Sequence, residues 1–448
     1  MSLLLAGCGG GGTTTTASST GSSSTSTGTT TTTSTGTTSA SAPSGSNVTN
    51  GVVDQGPTGL TEANEAAVNI LYVNVTVCAP GSTTNCQTID HVQVDTGSQG
   101  LRLISSVLNT TLLAALQPLT VSGAAVAECT QFVDGYSWGP IVSADVHVGG
   151  SDTATTGESA PSLPVQLIGT STYAVPTDCS DATAGATSEN TVATFGANGI
   201  IGVGLFNEDC GSACATSTDY GLYFTCTSAG CNQAVVPTSE QMINPVYGLA
   251  ANSSGVTDNN GVIIQLPAVS ATGAATVNGY LIFGIGTESN NALSSSAAVL
   301  TTDENGYISV DFAGTTLPDS YFDSGSNALY FDDSAITTCT QAVAQGFMCP
   351  TTQQSLTATV TGQSGVSTTA EFAIGNAYDL FTNNPSFAAF SNLGGSGNFS
   401  NAGGSSSQSG SQTFAFGLPI FYGNYVYTAM EGLNAGGTDG PYFAVAAQ

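Results

Sequence analysis

Ile89-Asp90-His91-Val92-Gln93-Val94 runs straight into Asp95-Thr96-Gly97-Ser98, and the pattern returns in the second half, where Asp319-Ser320-Tyr321-Phe322 leads into Asp323-Ser324-Gly325-Ser326. In each copy an alternating strand ends on an aspartate followed by a hydroxyl residue, a glycine and a serine. Each is followed further on by two apolar residues and a glycine, Ile200-Ile201-Gly202 and Ala415-Phe416-Gly417. A single Asp-(Thr/Ser)-Gly-Ser is weak evidence in a chain this rich in Ser, Thr and Gly, because Asp favours polar turns by bonding its own backbone. Two copies with matched downstream segments predict two related lobes.

Composition agrees with a β-rich body. Of 448 residues only 7% are charged and 40% are hydrophobic, and 56 are glycine, which fits many short strands joined by tight turns. Residues 9–60 open as a Gly/Ser/Thr tract too polar to bury a core and read as a disordered linker. The expected order is then an N-terminal lobe over 61–205, a cysteine-rich insert over 206–260 and a C-terminal lobe over 261–448. The first lobe opens with a strand around Leu71, Val73, Val75 and Val77.

Charge excludes several functions. One cationic side chain, Arg102, stands against 30 acidic ones, giving a formal charge of -29 with no lysine. Such a polyanion has no phosphate-neutralising patch for nucleic acid, and without lysine there is no Walker loop, pyridoxal Schiff base or Ser-x-x-Lys nucleophile. His91 and His147 are the only histidines, too few and wrongly spaced for a zinc peptidase, and both lie in strand-like alternation that does not suit a Ser-His-Asp hydrolase. No metal or cofactor is expected. With almost no base to repel its neighbours at low pH, the protein is expected to tolerate acid.

The cysteines point to an oxidising compartment. Without Cys8 their number is even, and Cys78/Cys86, Cys226/Cys231 and Cys339/Cys349 are spaced for local loop-closing bridges. Cys210, Cys214, Cys226 and Cys231 still allow three pairings. At the N-terminus, Leu5-Ala6-Gly7-Cys8 resembles a bacterial lipobox, which implies lipidation at Cys8 and attachment to the outer membrane surface, although the stretch before it is shorter than a signal peptide. Export to the cell envelope or beyond, as a monomer, is the corresponding expectation.

Taken together, the two Asp-(Thr/Ser)-Gly-Ser loops, their later apolar-apolar-Gly segments, Ile282-Phe283-Gly284 and the closing Gly417-Leu418-Pro419-Ile420-Phe421 resemble the pepsin-like aspartic peptidases over residues 66–448. The lipobox and Trp138-Gly139-Pro140 are closer in texture to a bacterial secreted family known as a domain of unknown function. The peptidase resemblance implies an all-β, bilobal double barrel with a cleft between pseudo-symmetric lobes. It further implies an aspartic endopeptidase acting on protein or peptide substrates, with Asp95 and Asp323 as the catalytic pair. Thr96 and Ser324 would brace the loops across the interface, Gly97 and Gly325 would offer backbone amides, and Ser98 and Ser326 would orient the outer carboxylate oxygens. A flap tyrosine is implied near residues 130–148, with Tyr136 the first choice, Phe132 the second and Trp138 beside them. Arg102 stands where the family often has a flap-supporting tryptophan, so it is expected to stack on Trp138 or pair with Asp134. The rival expectation is a non-catalytic surface binding module on the same fold.

Overall fold

The computed structural model describes residues 38–39, 43–62, 65–132, 135–150, 157–181, 187–396 and 413–448. Its architecture is all-β: one nineteen-stranded sheet network, one seven-stranded sheet and a two-stranded ribbon among the described residues, with only short helices between. None of the described helices is long and apolar enough to cross a membrane.

The large sheet gathers strands from both halves of the chain. Val48–Val53 pairs antiparallel with Leu71–Cys78 on one side and with Val277–Phe283 on the other. The folded chain therefore begins earlier than expected, inside the stretch read as linker to residue 60. The Gly/Ser/Thr composition of the tract carries on up to this strand and hides its start. Here Gly51 lies mid-strand, where an added Cβ would come within 2.9 Å of the Leu71 side chain, so the glycine serves close packing.

Leu71–Cys78 continues through the Cys78–Cys86 disulfide into Cys86–Asp95, the strand that delivers the first aspartate. The 14-residue strand Gly135–Val148 pairs with Ala124–Gln131, Glu158–Ile168 and Leu71–Cys78. The expected insert joins the same network, since Tyr223–Thr227 lies antiparallel to Ala124–Gln131, with Tyr223 opposite Glu128. Its cysteines pair locally, Cys210 with Cys214 and Cys226 with Cys231. Cys129–Cys179 and Cys339–Cys349 complete five bridges, so every described cysteine is paired.

The second aspartate belongs to the seven-stranded sheet, at the end of Thr315–Phe322. The two halves pack differently beneath their loops. Around Asp95 the strands bury aliphatic side chains such as Val92, Val94, Leu101, Leu103 and Ile201. Below Asp323 the filling is aromatic: Phe331 stacks on Phe414 at 4.7 Å, Phe414 on Phe416 at 4.3 Å and Phe416 on Phe322 at 4.8 Å. Each such ring pair adds about 0.5–1.5 kcal/mol beyond the area it buries.

Candidate active site

Each aspartate is set by three strand segments arranged alike. Gly199–Val203 lies parallel to the incoming strand, with Ile201 opposite Val94 and Gly202 opposite Asp95, and antiparallel to the outgoing Gln99–Ile104. In the other sheet Ala415–Phe416 lies parallel to Tyr321–Phe322 and antiparallel to Leu329–Tyr330. The glycine that ends each inserted segment is required by contact. A Cβ on Gly202 would sit 2.7 Å from the Ser98 Oγ, and one on Gly417 would sit 2.5 Å from the Ser326 carbonyl oxygen.

The hydrogen bonds of the two loops match atom for atom. Gly97 N donates to Asp95 Oδ1 at 2.8 Å and Ser98 Oγ to Asp95 Oδ2 at 2.5 Å. Gly325 N donates to Asp323 Oδ1 at 2.8 Å and Ser326 Oγ to Asp323 Oδ2 at 2.6 Å. Across the loops, Thr96 N donates to Ser324 Oγ at 3.1 Å and Ser324 N to Thr96 Oγ1 at 2.9 Å. Ser324 Oγ in turn donates to the Val94 carbonyl at 2.8 Å, and Thr96 Oγ1 lies 3.5 Å from the Phe322 carbonyl. The structure thus brings together Asp95, Thr96, Gly97, Ser98, Asp323, Ser324, Gly325 and Ser326.

The two carboxyls stand side by side at Gly325, where one added Cβ would meet both, and both are fully buried. Burial first, and the adjacent Asp95 second, hold Asp323 well above the usual carboxylate range, although Ser326 and the Gly325 amide pull it back.

Two neighbours went unnoticed in the sequence. Gln93 and Tyr321 each stand two residues before an aspartate, which in a strand puts them on the aspartate's face. Buried Gln93 donates from Nε2 to the Gly325 carbonyl at 3.2 Å. The Tyr321 phenol is pushed up by burial and then by the charge of Asp323. The period-two rule applied back from each aspartate would have found both. Asn69 is a third: fully buried at φ 53°, its amide donates to the Asn327 and Phe390 carbonyls, both at 2.9 Å, and its oxygen accepts from Phe390 N and Tyr422 Oη.

The aromatics expected on a flap join apolar clusters. Phe132 lies edge-on to Phe195 among Ile104, Ile168 and Ile200. Trp138 lies edge-on to Phe224 and donates from Nε1 to the Tyr173 carbonyl, and Tyr136 shares its cluster with the Cys129–Cys179 bridge. The turn of this hairpin, with Asp134, lies outside the described residues, as does Cys8.

Of the two expectations for Arg102, the pairing with Asp134 falls outside the described residues, and the stacking on Trp138 gives way to another contact. Instead of meeting the indole, Arg102 sinks to 2% exposure and donates from Nη2 to Glu128 Oε1 at 2.5 Å and from Nε to Glu128 Oε2 at 3.2 Å. Its Nη2 also reaches Asp209 Oδ2 at 3.4 Å. The physical reason is pairing: a buried guanidinium needs a carboxylate, and sheet register delivers Glu128. Burial opposes the charge, but Glu128 and then Asp209 raise the guanidinium above its ordinary value.

Among the described residues no group of three or more His, Cys, Asp or Glu is arranged to hold a metal ion. The fold and site define an all-β protein carrying a buried, paired dicarboxyl centre on two matching loops. The chain belongs to the family described as "Protein of unknown function (DUF3443)", whose model matches residues 43–445. Among curated proteins none matches it.

Proposed function

We propose that the chain is a bilobal, pepsin-like aspartic endopeptidase in which Asp95 and Asp323 meet at the base of the cleft between two related lobes. The single observation that carries this reading is the atom-for-atom match of the two loops, ending in buried carboxyls that stand side by side at Gly325. Amide hydrolysis needs an activated water and a proton for the departing amine. A pair holding one proton supplies both: its ionised carboxylate takes a proton from water, and its protonated partner donates to the substrate carbonyl oxygen. The collapse of the tetrahedral species then passes a proton to the amine as the C–N bond breaks. The Thr96–Ser324 cross-bonds hold the carboxyls in register for this exchange.

The disulfide set supports export to an oxidising compartment, where Cys8 would carry a lipid tethering a monomer to the envelope. Incubating the purified protein with a denatured protein from about pH 2.5 to 6, with and without a transition-state peptide inhibitor, tests the activity. Inhibitor-sensitive cleavage that disappears in Asp95→Asn is expected. Cleavage that survives Asp95→Asn would place the active site elsewhere.

One observation favours a second reading, a non-catalytic surface binding module. Both aspartates have no exposed surface, and Tyr136, Phe132 and Trp138 pack into apolar clusters. Absence of cleavage at any pH, with intact folding, would decide for it.

A further inference from the structure

We propose that Arg102 is the positioning residue of the Asp95 loop, clamping the turn that aims the Ser98 hydroxyl at the carboxyl; this rests on the peptidase reading above. Ser98 Oγ bonds Asp95 Oδ2 at 2.5 Å, and the carbonyl of the next residue, Gln99, accepts Arg102 Nη1 at 2.7 Å. The same guanidinium faces two other segments. It holds Glu128 through two nitrogens and donates from Nε to Thr130 Oγ1 at 3.0 Å, both on the Ala124–Gln131 strand. It also reaches Asp209, whose other oxygen accepts the Tyr223 hydroxyl at 2.6 Å. Tyr223 Oη accepts the Met242 amide at 2.8 Å, which carries the clamp into the disulfide-pinned 206–260 segment.

The geometry suits only arginine. A planar guanidinium presents five donors in a fixed fork, whereas a lysine ammonium is a point charge on a flexible stem. Lysine here would keep the positive charge beside Glu128 and Asp209 but could not hold Gln99, Thr130 and both carboxyls at once. Arg102→Lys therefore separates charge from geometry. A slack turn loosens the Ser98 bond that favours the ionised form of the dyad, so the lower apparent pKa of the pair rises. Arg102 itself is sealed from any substrate, at 2% exposure.

The test compares wild type and Arg102→Lys in steady-state kinetics across pH, and in amide hydrogen exchange of the folded protein. Expected are a kcat loss on the order of tenfold to a hundredfold with KM little changed, and an acidic limb of the kcat profile moved to higher pH. In exchange, the amides from Thr96 to Gly100 lose protection while those of the strand Gln354–Thr361, in the other sheet, do not. Wild-type kcat and unchanged protection in a folded Arg102→Lys overturn the proposal. So does a protection loss spread evenly over the chain, which would mark Arg102 as a general structural residue. An inactive wild type removes the peptidase reading, and the exchange comparison still decides whether Arg102 fixes the turn. Should Arg102→Lys fail to fold, Thr130→Val, which removes one acceptor of the clamp, carries the same readouts.

Discussion

Gly325 is fixed by its neighbour across the loops. A Cβ there would stand 2.5 Å from Asp95 Oδ1 and 3.0 Å from Asp323 Oδ1, so Gly325→Ala pushes the carboxyls apart. With the dyad separated, kcat should fall on the order of a hundredfold or more for so small a change, read in the cleavage assay. Asp323→Asn makes a different prediction, for stability. Because the folded-state pKa of Asp323 is raised, its stabilising contribution is complete below the unfolded carboxyl value of about 3.9 and is lost as pH rises through the folded value. Asn does not titrate, so Asp323→Asn should gain on wild type as pH climbs from about 4 to 7.5, measured by urea unfolding at each pH. A constant difference across that range would contradict the shared, buried proton.

At the scale of elements, the long and short disulfides should differ in weight. Cys129–Cys179 spans 50 residues and Cys210–Cys214 only 4. The loop-entropy relation gives roughly 4 kcal/mol for the first and roughly 2 for the second. Paired serine variants, compared by urea midpoint, test that order. Asn69 joins the entry to the Leu71–Cys78 strand to Asn327, just past the Asp323 loop. Asn69→Gly keeps the left-handed backbone and loses the amide, leaving buried partners that cost about 1–3 kcal/mol each, while Asn69→Ala adds backbone strain to that loss. The loops, their downstream glycines and the bridges Cys78–Cys86, Cys226–Cys231 and Cys339–Cys349 were legible because each depends on residues close in sequence or on a repeated pattern. What stayed hidden depends on pairing between distant strands. Nothing local says that Glu128 faces Arg102, or that Phe132 and Trp138 turn into apolar clusters.

Across the whole molecule, burial acts on six carboxyls in one direction. Glu158, Glu208, Asp209, Asp258, Asp319 and Asp323 are all raised, each chiefly by burial. Raised values mean stability that is complete below the unfolded carboxyl pKa and lost as pH rises through the folded ones. His91, raised mainly by its bond to Asp54, acts in the same sense, and His147, lowered by burial, acts against it. The melting temperature should therefore increase from about pH 7.5 to about pH 4, and a calorimetric scan showing a decrease would refute this. The clamp at Arg102 has a further consequence. Proteases that read a basic side chain have only the bond after Arg102 to cut in the entire sequence, and that residue is sealed on a central strand. Folded, the chain offers trypsin-type enzymes no foothold; unfolded, it offers one, so the appearance of two tryptic fragments counts each opening of the first aspartate's loop.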